Sequence, residues 1–375
     1  MTGTPDLLYS DVEDDLRDSV RALLTDRCPP GSVLARIESD TPYDLGLWRT
    51  LAVDLGLAGL LVPEKLGGQG ASAREAAVVL EELGAAVAPV PFLGSAVLAT
   101  CALLGCATDI ADRTVGRLAC GEAVAALAVP LPTAPGAAFP DGVRADQTGT
   151  LNGRVTSVAD ASVADLLVIP AIGPDGPGLY EVAADTPGVR INVPIALDLT
   201  RPISDIDLDG VPSRLLAGPG TAAAALDHAL LTGAGLLASE QLGLAQWCLD
   251  ETVRYLGERH QFGRVVGSFQ ALKHRLADLW LETVSARAAA RNAADALASG
   301  GPDAPVAVAV AQAYGAAAAV RAAEECVQLH GGIGMTWEHP AHLYLKRAKS
   351  DEIALGTPGR HRAALARLVG LAPAG

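Results

Sequence analysis

Two short segments carry residue types that helix packing alone does not call for. The first runs Glu258-Arg259-His260-Gln261-Phe262-Gly263-Arg264 and continues to Ser268-Phe269-Gln270-Ala271-Leu272-Lys273-His274. A fixed cation, amide donors, an aromatic ring and a glycine stand together where one helix is expected to end and the next to begin. Arg259 can pair with a phosphate, and the start of the following helix offers free backbone N–H groups to the same anion. The second segment is Gln328-Leu329-His330-Gly331-Gly332-Ile333-Gly334-Met335-Thr336-Trp337-Glu338, whose clustered glycines let a backbone approach a flat or phosphorylated ligand. Taken singly, each of these residues also reads as part of an exposed turn or a helix C-cap; the grouping is what points to a ligand.

Other candidates fail on their own chemistry. Gly67-Gly68-Gln69-Gly70 follows no strand of a βαβ unit, so it is not a dinucleotide loop. Glu338-His339-Pro340-Ala341-His342 comes nearest to metal-ligand spacing, but its proline spoils the helix a two-histidine site needs, and no metal is expected. The six cysteines (Cys28, Cys101, Cys106, Cys120, Cys248 and Cys326) lack zinc-ligand or Cys-x-x-Cys spacing and read as reduced, small and buried, in a cytoplasmic protein.

The elements that must hold these segments fall into three zones. From about Ser10 the pattern is helical, with Leu16, Val20, Leu23 and Leu24 and again Ala76, Val79, Leu80 and Leu83 recurring at three- and four-residue steps around an irregular stretch from Leu61 to Gly70. From about Ala123 to Leu216, short apolar runs (Val124–Ala128, Leu166–Ile169, Val189–Val193) are broken by Pro, Gly, Asp or Asn, the grammar of strands and turns. Beyond Thr221 long helices return. Leu242, Ala245, Leu249, Val253 and Leu256 line one face of the first, Leu272, Leu276, Leu279 and Val284 mark the second, and a third runs from about Ala304 to Leu329 before Gly331-Gly332. The fold expected is mostly α with a β insert: an N-terminal helical domain over 1–122, a middle β domain over 123–217 and a C-terminal four-helix-type bundle over 218–375.

Composition excludes several function classes. Of 375 residues, 28 are Lys or Arg and 43 Asp or Glu, a net charge of −15 that gives no footprint for nucleic acid. Aromatics are 4%, too few for base-stacking platforms. The Ala304–Ala319 run is too alanine-rich and interrupted for a membrane span, and Met1–Asp6 shows no basic start of a signal peptide.

The Arg-x-Gln-Phe-Gly…Phe-Gln segment, the Gln-x-x-Gly-Gly-x-Gly segment and Gly356-Thr357 together resemble the signature regions of acyl-CoA dehydrogenases. Leu60-Leu61-Val62-Pro63, Gly67-Gly68-Gln69-Gly70 and Leu80-Glu81-Glu82-Leu83-Gly84 resemble that family too, in the same order, so the likeness covers nearly the whole chain. It implies the helix–β–helix fold, FAD as cofactor and an acyl-CoA substrate. By resemblance, Arg259, Gln261, Phe262 and Gln270 reach the pyrophosphate and adenosine end of an FAD held mainly by a neighbouring chain; Gln328, Gly331 and Gly332 approach the same cofactor, and Thr357 belongs to the third signature. Such a site needs an oligomer.

The resemblance also shows what is missing. The family's catalytic glutamate precedes the Gly-Thr pair, where this chain has Leu355; the alternative position on an earlier helix falls at Gly233. Glu240, two turns along the same helical face from Gly233, is the weak candidate for a relocated base, with Asp227 and His228 just before it. The family's Thr-Glu-Pro-x-x-Gly-Ser loop and Trp-x-Thr strand correspond to Val129–Gly136 and Gly153–Val158, without the Glu-Pro or the Trp, and the glutamine expected after Gly-Thr is Gly359. Adenosine-side clamps therefore persist while ring-side contacts and base are lost. That asymmetry resembles one subunit of an actinobacterial α2β2 acyl-CoA dehydrogenase acting on lipid or sterol thioesters, with the base on a related partner. A homo-oligomeric flavoenzyme with a relocated base or oxygen-using chemistry, and a non-catalytic stabilising subunit, are the alternatives.

Overall fold

Ser10 and Ser72 each open a helix by a reciprocal pair of bonds, the serine side chain accepting a backbone N–H of the first turn while Glu13 or Glu75 reaches back to the serine N–H, at 2.6 and 2.8 Å. These begin α1 (Asp11–Arg27) and, after α2 (Pro30–Ile37) and α3 (Leu45–Arg49), α4 (Ala73–Ala85). A π-helical stretch, Phe92–Ala99, runs into α5 (Thr100–Cys106), and α6 (Asp109–Ala119) closes the helical N-terminal part. The computed structural model describes residues 7–371. Met1–Asp6, on which the signal-peptide expectation rests, lies outside them.

The strand-and-turn zone forms one eight-stranded sheet. Its members are β1 (Ala125–Leu127), β2 (Val143–Ala145), β3 (Thr150–Ala159), β4 (Leu166–Gly173), β5 (Gly176–Ala183), β6 (Val189–Asn192), β7 (Ile203–Pro212) and β8 (Arg214–Ala217), in the order β6-β7-β3-β2-β4-β5-β8, with β1 alongside β4 in parallel. The three apolar runs read from the sequence are β1, β4 and β6. Val143, Leu151, Val158, Leu167, Ile169, Ile206 and Val211 build a core for this sheet, separate from the larger core of the helices.

The C-terminal part comprises α7 (Ala222–Glu258), a small hairpin of β9 (His260–Gln261) and β10 (Arg264–Val265), α8 (Gln270–Ser299), α9 (Ala304–His330), α10 (Ala341–Ile353) and α11 (Pro358–Leu368). Small residues let these helices approach closely. A Cβ added to Gly243 would come within 1.9 Å of the Glu81 carbonyl, and one added to Gly84 within 2.2 Å of the Glu240 carbonyl, so α4 and α7 cross glycine against glycine. Helices α7 and α9 are long and apolar enough to cross a bilayer, yet 72% of each apolar window is buried within the fold.

A buried charge network ties these layers together. Arg201, on the link between β6 and β7, donates to Glu240 of α7 at 2.5 Å and to Asp351 of α10 at 2.9 Å; Arg347 of α10 donates to Glu240 at 2.7 Å, to Thr200 Oγ1 at 2.7 Å and to Asp198 at 3.4 Å. All are at most 3% exposed. Burial works to raise the Glu240 carboxyl, but the two guanidiniums outweigh it and hold it at about 2. Burial and the neighbouring Glu240 push the Asp351 carboxyl well above its ordinary range. Two sequence expectations need correction: Cys120 is exposed, because it sits in the turn that ends α6, and Val253 is 49% exposed, because the buried face of α7 there runs through Leu249, Thr252 and Leu256 and leaves Val253 beside it.

Candidate functional site

The Arg259 segment is an exposed hairpin that follows α7 directly. The register pairs Gln261 with Arg264 and His260 with Val265, leaving Phe262 and Gly263 as the two-residue tip, at φ +53° and +74°. Both left-handed values are what such a tight turn demands, and glycine meets the demand without strain where phenylalanine does not. The Phe262 ring is nevertheless 89% exposed, meeting Phe269 only edge-on at 6.2 Å between centroids. Arg259 is exposed, and among the described residues no carboxylate pairs with it; Glu258 beside it is taken by Arg254. Gln270 opens α8 behind Phe269, which provides no side-chain cap, so the first N–H groups of α8 remain available.

The glycine segment lies close by. Helix α9 stops at Gly331, at φ +63°, and a single 3-10 turn, Gly331–Met335, follows. A Cβ at Gly331 or Gly332 would meet nothing within 4 Å, so an open surface faces this backbone. Gln328 is exposed one turn earlier. Tyr255 joins the two segments: its backbone carbonyl accepts the Arg259 N–H at 3.0 Å, while its ring stacks on His330 at 4.3 Å, immediately before Gly331. Arg259, Gln261, Phe262, Gln270, Gln328, Gly331 and Gly332 thus sit on exposed turns braced by one aromatic pair.

A different environment surrounds the positions where a base is expected. Leu355 is fully buried at φ +53°, donates its N–H to the Leu131 carbonyl at 2.7 Å, and receives the His361 Nε2–H on its own carbonyl at 3.0 Å. Leu131 in turn donates to the Ser157 carbonyl at 2.9 Å, so the loop after β1, the bulge in β3 and the Leu355 turn meet in one place. Gly233 faces this point from α7: a Cβ there would come within 2.3 Å of Leu98 Cδ2 and 3.2 Å of Leu355 Cδ1. The two positions are neighbours, and Leu98 with Leu355 fills the space between them. Glu240 takes no part; both its oxygens accept from buried arginines, which makes it a structural anion rather than a proton acceptor. Asp227 Oδ1 accepts the Gly136 N–H at 2.5 Å. Thr357 accepts the Arg360 N–H at 3.3 Å and so caps α11. Beyond His361 lies a cleft of about 380 Å³ between the Pro135-Gly136 turn, α7, α9 and α11, with Asp227, His361 and Arg367 on its wall.

Leu98 and the Arg201–Arg347 pair were missed by sequence reasoning. Leu98 carries no signal beyond apolarity, and Arg201 lies 39 residues from Glu240 in a different layer.

Comparisons with known proteins fit this geometry. Residues 10–122 match the family model "Acyl-CoA dehydrogenase, N-terminal domain", and residues 222–370 match "Acyl-CoA dehydrogenase, C-terminal domain". The chain is 36% identical over 349 residues to acyl-CoA dehydrogenase IpdE2 of Mycolicibacterium smegmatis, covering 93% of this chain and 96% of that one. Among solved structures, a variant of the Tcur3481-Tcur3483 steroid ACAD is 31% identical with a TM-score of 0.85, over 96% of this chain and 98% of its own. The ChsE4-ChsE5 complex from Mycobacterium tuberculosis is 29% identical with a TM-score of 0.87, over 98% and 100% of the two chains.

Proposed function

The chain belongs to the acyl-CoA dehydrogenase family, whose members are FAD-dependent oxidoreductases, and from that premise we propose that it serves as the base-less subunit of a hetero-oligomer dehydrogenating an acyl-CoA thioester of lipid or steroid origin. In this role it grips the adenosine and diphosphate end of a flavin whose ring side and catalytic carboxylate belong to a related partner chain.

The observation that carries the reading is a contrast within one chain. The Arg259 cation has no carboxylate partner among the described residues, the α8 N-terminus is uncapped by any side chain, and the Gly331-Gly332 backbone is open, a donor set that fits a nucleotide diphosphate. At the other end, Leu98 and Leu355 close the space between the two base positions, and the nearest atoms a Cβ at Gly233 would meet there are all leucine carbons. When bound, FAD supplies the hydride acceptor for α,β-dehydrogenation. This chain's share is to neutralise the diphosphate through Arg259 and the first N–H groups of α8, to set Phe262 and Gln261 against the adenosine part, and to let Gly331 and Gly332 approach without a side chain between. Removal of the substrate's α-proton falls to the partner.

Exposed apolar side chains around the same turns support a partner surface: Phe262, Met335 (79% exposed) and Trp337 near the clamps, Trp280 and Leu281 along α8. The steroid ACAD and ChsE4-ChsE5 assemblies support a two-chain architecture. The test is Arg259→Ala in the complex with the partner. Loss of charge-assisted bonds worth about 1.5–3 kcal/mol should weaken flavin retention roughly ten- to hundred-fold. Unchanged retention refutes the donation of this clamp.

A further inference from the structure

We infer that Glu251, His330 and His339 form a divalent-metal site suited to Zn²⁺ where α7, α9 and α10 meet. Glu251 comes from α7, His330 is the last residue of α9, and His339 stands just before α10. Glu251 Oε1 lies 3.9 Å from His330 Nε2 and 3.5 Å from His339 Nε2, and the two imidazole rings are 4.2 Å apart between centroids. Zinc bonds of about 2.0–2.1 Å in a tetrahedron place neighbouring ligand atoms roughly 3.3 Å apart, so the two Glu251 edges need to shorten only by some tenths of an ångström, and all three ligand atoms already lie within 4.8 Å of one another.

The second observation is the state of His330. Its side chain is fully buried, and its Nε2 has no hydrogen-bond partner. Its Nδ1 lies 2.7 Å from the Cys326 carbonyl, which can only accept, so the proton sits on Nδ1 and the Nε2 lone pair points at the other two ligands. A backbone carbonyl holding the far nitrogen is the usual support of a metal-binding histidine, and a buried ring nitrogen left without any partner is costly. His339 accepts the Ala341 N–H on Nδ1 at 3.2 Å and so carries its proton on Nε2; to ligate through Nε2 the neutral ring takes the other tautomer, with the proton on Nδ1, and gives up the Ala341 bond. Glu251 is shared with Arg254, which keeps Glu258 at 2.8 Å when Glu251 turns to the ion. The Glu251 and His339 side chains are 16% and 11% exposed, leaving a path for the ion.

The sequence expectation of no metal rests on the scattered cysteines and on the Glu338–His342 spacing. The fold uses one histidine of that stretch, His339, and brings the other two ligands, Glu251 and His330, from 88 and 9 residues before it, spacings that give no signal; what joins them is the stop of α9 at Gly331. An ion here fastens the residue that precedes the Gly331-Gly332 turn to α7, independently of whether that turn contacts a flavin.

The experiment uses the full chain with Cys120→Ser, which removes the exposed thiol as a competing ligand. After chelator treatment, Zn²⁺ is titrated against a chromophoric chelator, in parallel with His339→Gln and Glu251→Gln, and circular dichroism checks that each variant is folded. One Zn²⁺ per chain in the parent, and affinity lower on the order of 100-fold in each variant, are the expected results. No stoichiometric binding by the parent, or equal binding by parent and folded variants, overturns the assignment.

Discussion

Leu355→Glu places a carboxyl at the family's base position and tests whether this chain has room for one. Leu355 is 0% exposed, its Cδ1 would lie 3.2 Å from a Cβ on Gly233, and Leu98 closes the far side. Three costs follow. Loss of a buried leucine removes about 1.5–3 kcal/mol of apolar burial. A protonated carboxyl without a partner costs about 1–3 kcal/mol. Keeping it neutral at pH 7, against a pKa raised by about 3 units, costs about 4 kcal/mol more. The sum is comparable with the whole stability of a typical domain. Because burial raises the folded-state pKa of the new acid, the unfolded chain ionises first, and the penalty grows as pH rises above about 4.3. Thermal melts at pH 5 and pH 8, with Leu355→Gln as the uncharged control, should show a gap between Glu and Gln variants that widens at the higher pH, and no dehydrogenase activity in the chain alone. A Glu variant as stable as the Gln variant at both pH values, with dehydrogenase activity gained, refutes the reasoning.

Removing the central anion of the buried network by Glu240→Ala leaves Arg201 and Arg347 uncompensated and should cost about 3–5 kcal/mol in urea unfolding at pH 7. Since the Glu240 carboxyl is held at about 2, its contribution is present above the ordinary carboxylate range and lost as pH falls towards 2, so the difference between parent and variant should shrink over that interval. Asp351→Asn should be neutral or stabilising at pH 7, because a carboxyl whose folded-state pKa is raised disfavours the fold once the unfolded chain ionises. That gain should fade as pH drops to 3.8, and a clear loss of stability at neutral pH in thermal melts contradicts it.

Local signals made much of this fold legible. Serine–glutamate caps, the three- and four-residue periodicity of Val20, Leu24, Val79 and Leu83, and the glycine stop after His330 act within a turn or two of chain, so they appear in the sequence as pattern. The clamp segments were legible for the same reason: their donors are consecutive. Contacts between layers were not. Glu240 looked like a spare carboxylate on an alanine-rich helix because its partners, Arg201 and Arg347, come from the β6–β7 link and α10. Leu98 gives no hint that it fills the space above Gly233, since a buried leucine in a π-helical stretch reads as any other core residue. The His330–His339 contact depends on the chain reversing after α9, which no spacing rule encodes.

The most direct test of the shared-flavin account is flavin per chain, measured from absorbance after purification of this protein alone and after co-expression with an acyl-CoA dehydrogenase-like chain that carries the glutamate. The account predicts little flavin on the chain alone and about one per pair in the complex. A yellow homo-oligomer with one flavin on every copy of this chain contradicts it.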